Sequence, residues 1–225
     1  VDSSRADARL RAWQEPLSGT GPFDPGAAGL PIGPTLRVVL IAGLLSGAVL
    51  GGYAGRPLQM LWSALKVPAL VLLSAAVCVP AFLVVHLLLG LRDDLREVVR
   101  AVLAAMASFA VALAALAPVV AFAWATVRDY GFARAFSGLI FAMAAAAAQR
   151  AFVRHRRQLV ARDPRHRHAM SAWLVLYCFV TIQLAWVLRP FIGAPGLEVR
   201  LFRESAWGNA YTEIGAIVWS WLCGS

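Results

Sequence analysis

Lysine is nearly absent from this chain: Lys66 is the sole one among 21 basic residues, and acidic residues number only 12. Carboxylates are missing altogether from the long apolar runs. Ion-coupled transporters place acids or broken helices at mid-membrane, so this gap speaks against one. The three cysteines, Cys78, Cys178 and Cys223, form no CxxC pair and no metal-ligand spacing, which excludes a zinc module or a disulfide framework. Cys78 and Cys178 fall inside apolar runs, where a free thiol reads as a small packing residue, and Cys223 reads as an interfacial thiol. The first 35 residues lack the apolar stretch a signal peptide needs, so no cleavable leader is expected. Nor does the sequence hold a nucleophile elbow, an HExxH pair, a P-loop or a glycine-rich dinucleotide fingerprint. Together these absences predict a protein without catalytic residues, cofactor or bound metal.

What is abundant is apolar surface. Hydrophobic residues make up 60% of the 225, and the mean hydropathy is +0.68. Soluble domains average about half. The excess gathers in runs long enough to cross a bilayer, about 20 residues each as helix. Five spans are expected, near residues 36–53, 67–89, 99–127, 132–151 and 170–188. The fold class is therefore all-α: a polytopic transmembrane helical bundle of about five spans with interfacial helices. Three parts follow along the chain. Residues 1–35 form an N-terminal tail and Pro/Gly linker, 36–190 the bundle, and 191–225 an outer loop with an interfacial C-terminal helix.

Gly43, Gly47 and Gly51 recur at four-residue spacing on the first span, the pattern that lets two helix backbones approach closely in lipid. Their partner is either another helix of this chain or a second copy. The alanine run 144–148 predicts close packing for the same reason. Residues 1–14 suit a short amphipathic helix with Leu10 and Trp13 on one side, and the Pro/Gly-rich stretch after it reads as a solvated linker. Pro57 to Lys66 is expected to be an interfacial helix, with Leu58, Leu61, Trp62 and Leu65 facing the acyl chains and Pro68 opening the second span. Pro80 and Pro118 predict kinks.

The net charge of +9 sits between the apolar runs. That arrangement orients a membrane protein, and no nucleic-acid partner is expected. An N-terminus on the cytoplasmic side puts about twice as many basic residues inside as outside. This predicts a multi-pass protein of the bacterial cytoplasmic (inner) membrane with its C-terminus outside. Arg150, Arg154, Arg156, Arg157, Arg165 and Arg167, interleaved with His155, His166, His168 and Asp163, read as a solvated basic loop facing anionic lipid headgroups or a partner. Asp93 and Glu97 stand at helical spacing from Arg96 and Arg100. His86 and Lys66 mark opposite ends of the second span, one reaching headgroups and the other snorkelling. Gln183 is placed to bond another helix.

At the far end, Trp186, Arg189, Pro190, Gly193, Pro195 and Gly196 form a helix exit followed by tight turns, read here as an outer docking loop. Beyond it, Trp207, Tyr211, Ile214, Ile217, Val218, Trp221 and Leu222 share one helical face, which favours a helix at 206–223 that lies in the interface over a sixth span.

The stretches "ALKVPALVLLSAAVCVPAFLVVHLLLG" and "QLAWVLRPFIGAPG" resemble a group of small bacterial polytopic membrane proteins to which no activity is assigned. Their plan is similar to that of Yip1-like five-helix proteins. The resemblance implies a bacterial membrane origin and carries no residue roles with it. The expected function is that of a non-enzymatic anchor or scaffold subunit, held in the lipid bilayer and joined to a protein partner or a second copy of itself. The alternative is an oligomeric channel or transporter for an ion or small solute, with small-residue helices lining the pore.

Overall fold

Hydrocarbon leaves a polypeptide few options: every backbone N–H and C=O must be paired internally, which favours helix over any open arrangement. The computed structural model, which describes residues 11–25, 27–194, 196, 198–202 and 212, is built from helices, and among these residues there is no strand. Residues 11–18 belong to α1. Then come α2 (Ile32–Gly51), α3 (Pro57–Leu88), α4 (Leu95–Thr126), α5 (Tyr130–Arg162) and α6 (His166–Leu188). These last 5 helices are each long and apolar enough to cross a membrane, and the chain is an integral, multi-pass membrane protein. Short links between them make successive helices antiparallel. Gly55 and Gly90 turn two of the links at positive φ, +64° and +73°. Asp129 starts α5 by accepting the Phe132 amide.

The helix ends differ from expectation in two places. Residues 57–66 are no separate interfacial helix but the first turns of α3, which continues through Pro68 and Pro80 for 32 residues, about 48 Å. A proline removes one backbone hydrogen bond, and apolar turns on both sides carry the helix past it. Likewise α5 runs on to Arg162, so most of the expected basic loop is helix, and the true link is only 163–165. Buried Phe152, His155 and Leu159 tie this extension to the bundle, which is why it continues as helix.

The helices stand in a crescent. α2 sits at its back between α3 and α4; α6 packs on α3 and α5 on α4, and these two tips barely touch each other. The glycine face of α2 is spent within the chain. A Cβ on Gly47 would land on the Ser63 carbonyl and Ala64, one on Gly51 would meet Gln59 and Met60, and one on Gly43 would meet Pro68. One apolar core, with Val39, Phe82, Val98, Phe152 and Trp173, fills the arginine-rich end. A second, with Leu50, Val67, Leu113, Trp124, Ile140 and Ile192, fills the other.

The N-terminal linker is not a loose tail: most of its residues are exposed, but Pro16, Gly19 and Phe23 are buried and anchor it to the bundle. Ser108 donates to the Pro16 carbonyl at 2.8 Å, and Arg154 to the Leu17 carbonyl at 2.8 Å. Arg100 donates to the carbonyls of Asp24, Ala27 and Gly29 while pairing with Glu97 at 3.2 Å. Phe23 buries against Ala104, Ala107 and Val38. A Gly/Pro-rich strand has carbonyls without helical partners, and one guanidinium with five donors gathers several of them. The expected terminal helix, 206–223, lies outside the described residues except for position 212.

Candidate functional site

Polar side chains collect at the two ends of the bundle, and a cavity opens between them. At the arginine-rich end, Asp94 joins three helices. Its carboxylate meets His166 Nε2 at 2.9 Å on α6 and Arg162 at 3.3 Å on α5, while Asp94 itself stands at the N-terminal boundary of α4. The His166 ring lies 5.5 Å from that of His86, which in turn stands edge-on to Phe82 at 4.4 Å. His86 Nδ1 reaches the Phe82 carbonyl at 3.0 Å. Both imidazoles are fully buried, so His86 does not reach headgroups as expected; α6 covers it. His155 is buried as well, with Nδ1 on the Ala151 carbonyl. The expected solvated histidine loop is thus two buried histidines in separate places and one exposed, His168. Among the described residues no group of three His, Cys, Asp or Glu is placed to hold a metal ion.

Outside the bundle, Arg165 holds Asp163 at 2.7 Å and also caps the α3 exit through the Leu89 carbonyl at 3.0 Å. These hydrogen bonds from Arg165 hold the Asp163 carboxyl below the ordinary carboxylate range.

At the other end lies a knot around Lys66. Its ammonium, Gln59 and Ser63 occupy successive turns of α3, all buried. Lys66 Nζ and Gln59 Nε2 donate to the Pro190 carbonyl at 3.0 and 3.2 Å, and Ser63 donates to the Phe191 carbonyl. Lys66 therefore does not snorkel: the chain leaving α6 folds back over it. The same fold-back turns part of the expected docking loop inward. Ile192 is buried in the apolar core, Phe191 packs on Phe141, and Gly193 sits against Gln59. Arg189 stacks its guanidinium on the Trp186 ring at 3.3 Å. Gly196 has φ +82°, and Pro195 lies outside the described residues. Arg200 pairs with Glu198 at 3.1 Å on the surface.

The distance from Lys66 to His86 along α3 is about 30 Å at 1.5 Å per residue. That matches the hydrocarbon thickness of a bilayer, about 30 Å. The two polar ends are thus spaced to match the two boundaries of a bilayer.

Between them, the gap separating the crescent's tips holds a cavity of about 520 Å³, open to the side. Its walls are Val102, Met106 and Phe109 of α4, Ala145, Ala146, Gln149 and Phe152 of α5, and Trp173, Tyr177 and Cys178 of α6. The lining is almost wholly apolar. Its volume falls within the usual range for ligand sites, about 300–1,000 Å³. Cys178 is accordingly exposed on the cavity wall, not a packing residue like Cys78.

Of the basic residues singled out in the sequence, Arg154 clasps the N-terminal linker and Arg165 braces the α5–α6 turn. Arg150 and Arg157 are exposed on α5, Arg156 is half-buried there, and Arg167 is exposed in the first turn of α6. Sequence reasoning missed the cavity. Its signal was the alanine run of α5 facing bulky aromatics of α6, a mismatch in size that neither helix reveals alone. Comparison of the chain with protein families, with curated proteins and with solved structures finds no match in any of the three.

Proposed function

We propose that the protein is a non-enzymatic membrane subunit that anchors or scaffolds a membrane-associated assembly. The observation that supports this best is the unequal use of its helix faces. α2 spends its glycine face on α3, and the polar residues of α3 and α4 bond to the chain after α6 and to the N-terminal linker. α6, at one tip of the crescent, buries only 11% of its apolar stretch against 50% for α4, with Val175 71% exposed. In lipid such a face is stable, and a second protein's helix gains there by packing alone. The basic extension of α5 adds exposed cations at the same boundary, suited to an acidic partner or membrane surface. An oligomeric pore has weaker support. The glycine face that would line it packs against α3, and the middle of the bundle is filled by apolar side chains.

Photo-crosslinking side chains introduced at Val175 and Phe179 in native membranes test the proposal. One and the same protein, or a second copy of this chain, is expected from both positions and not from Leu45 on the far side of α2. Capture of lipid alone from all three positions would overturn the reading.

A further inference from the structure

A groove that opens sideways at mid-membrane is filled by whatever the bilayer supplies, since an empty apolar cavity of this size forfeits contacts on every wall. The 520 Å³ groove extends from Trp173 to Ile182 along α6, about 14 Å of helix. It is narrow, apolar and parallel to the lipid chains. What distinguishes it from a mere gap is its mouth. Following the groove face of α5 one turn beyond Phe152 leads to Arg156, and following that of α6 two turns back from Leu174 leads to Arg167. Among the described residues neither arginine has a carboxylate within ion-pair reach, in contrast to Arg100, Arg162 and Arg165. Arg167 adjoins His166, whose ring packs beside His86 at the membrane boundary. At 1.5 Å per residue the two arginines stand about 6 Å beyond Phe152 and about 10 Å beyond Leu174, both toward the His86 end, and Gln149 is a polar group within the groove wall one turn deeper than Phe152.

We propose that this groove binds one anionic phospholipid, with an acyl chain between α5 and α6 and the phosphate at Arg156 and Arg167. Arginine suits the role because its planar fork takes two phosphate oxygens at once. The proposal is independent of the anchor reading, since Val175 and Phe179 lie outside the groove lining.

The test is native mass spectrometry of the full chain released from nanodiscs made of equal parts phosphatidylglycerol and phosphatidylcholine. One bound phospholipid per chain is expected, with phosphatidylglycerol favoured. Replacing both Arg156→Ala and Arg167→Ala should lower that preference roughly thirtyfold, at the ordinary contribution of two basic groups at an anionic surface. Filling the groove with Ala146→Trp should expel the lipid, and Ala145→Phe serves if the larger side chain prevents folding. Equal retention of the two lipids by the unaltered chain overturns the proposal, as does a bound lipid that survives both groove-filling changes. A protein helix crosslinked into the groove from position 146 overturns it too, by naming a different occupant.

Discussion

Two stretches of small residues in this molecule meet opposite fates. On α2, Gly43, Gly47 and Gly51 draw the backbone of α3 so close that no side chain fits between. On α5, Ala145 and Ala146 face a cavity, although the neighbouring Ala144 is fully buried. Small residues permit close approach but do not cause it; a second helix must be held there by something else. At the α2–α3 seam the tight 52–56 turn brings the two helices together at one end and the fitted glycine face keeps them in contact along their length. At the crescent's tips no comparable tie draws α5 against α6 along their length. The 163–165 turn, braced by Arg165, and the Asp94 network join them, and both do so at one end.

The sharpest way to break this comparison is to enlarge both faces. Gly47→Leu should cost about 3 kcal/mol or more, because its Cβ would strike backbone and not a movable side chain. Ala146→Leu should change stability by about 0.5 kcal/mol or less, since it projects into open space. Thermal unfolding in detergent micelles compares the two directly, and equal losses would mean the tips are as tightly closed as the seam.

Arg100→Ala comes next. It removes several charge-assisted hydrogen bonds from a buried guanidinium and should cost about 2–3 kcal/mol. Much of the effect should be local: limited proteolysis would cut within residues 11–31 while the five long helices stay resistant. Resistance of the linker to cleavage in this variant would show that Phe23 and Ser108 hold it unaided.

Ser63→Ala should cost about 1 kcal/mol, by leaving the Phe191 carbonyl without its donor. Hydrogen–deuterium exchange should show faster opening around 190–194 and no change in the groove helices.

The smallest effect is expected at Asp163, on the surface. Arg165 depresses its pKa in the folded protein, so the pair stabilises the fold above the carboxylate's unfolded pKa. That contribution is lost as pH falls through the depressed folded value. Arg165→Ala should erase this acid-side dependence with little change in melting temperature at neutral pH, because the pair is exposed.

The five spans were legible because hydrophobic run length is a property of each segment alone. Their ends were not. α3 and α5 outrun their apolar cores, since what prolongs them, buried Gln59 and Ser63 in one case and His155 and Leu159 in the other, depends on partners distant in sequence. The histidines and Lys66 were misplaced for the same reason. Position along a helix fixed their place in the run, but the burial of His86 came from α6, that of Lys66 from the chain leaving α6, and that of His155 from the N-terminal linker and α4. The glycine seam was visible as a packing face, with its partner left open. The groove was invisible, because a void belongs to the space between helices and to no residue.

The clasp on the N-terminal linker sets an order of events during synthesis. Pro16 and Leu17 leave the ribosome long before Ser108 and Arg154, their hydrogen-bond partners on α4 and α5. Until α5 is threaded, the linker has nothing to dock on, and Arg100 has only part of its partners. Docking is therefore a late check that α4 and α5 have both been inserted and paired. A chain that stalls with either helix misplaced would present a loose, protease-accessible N-terminal segment, whereas a completed chain holds it against α4 and α5.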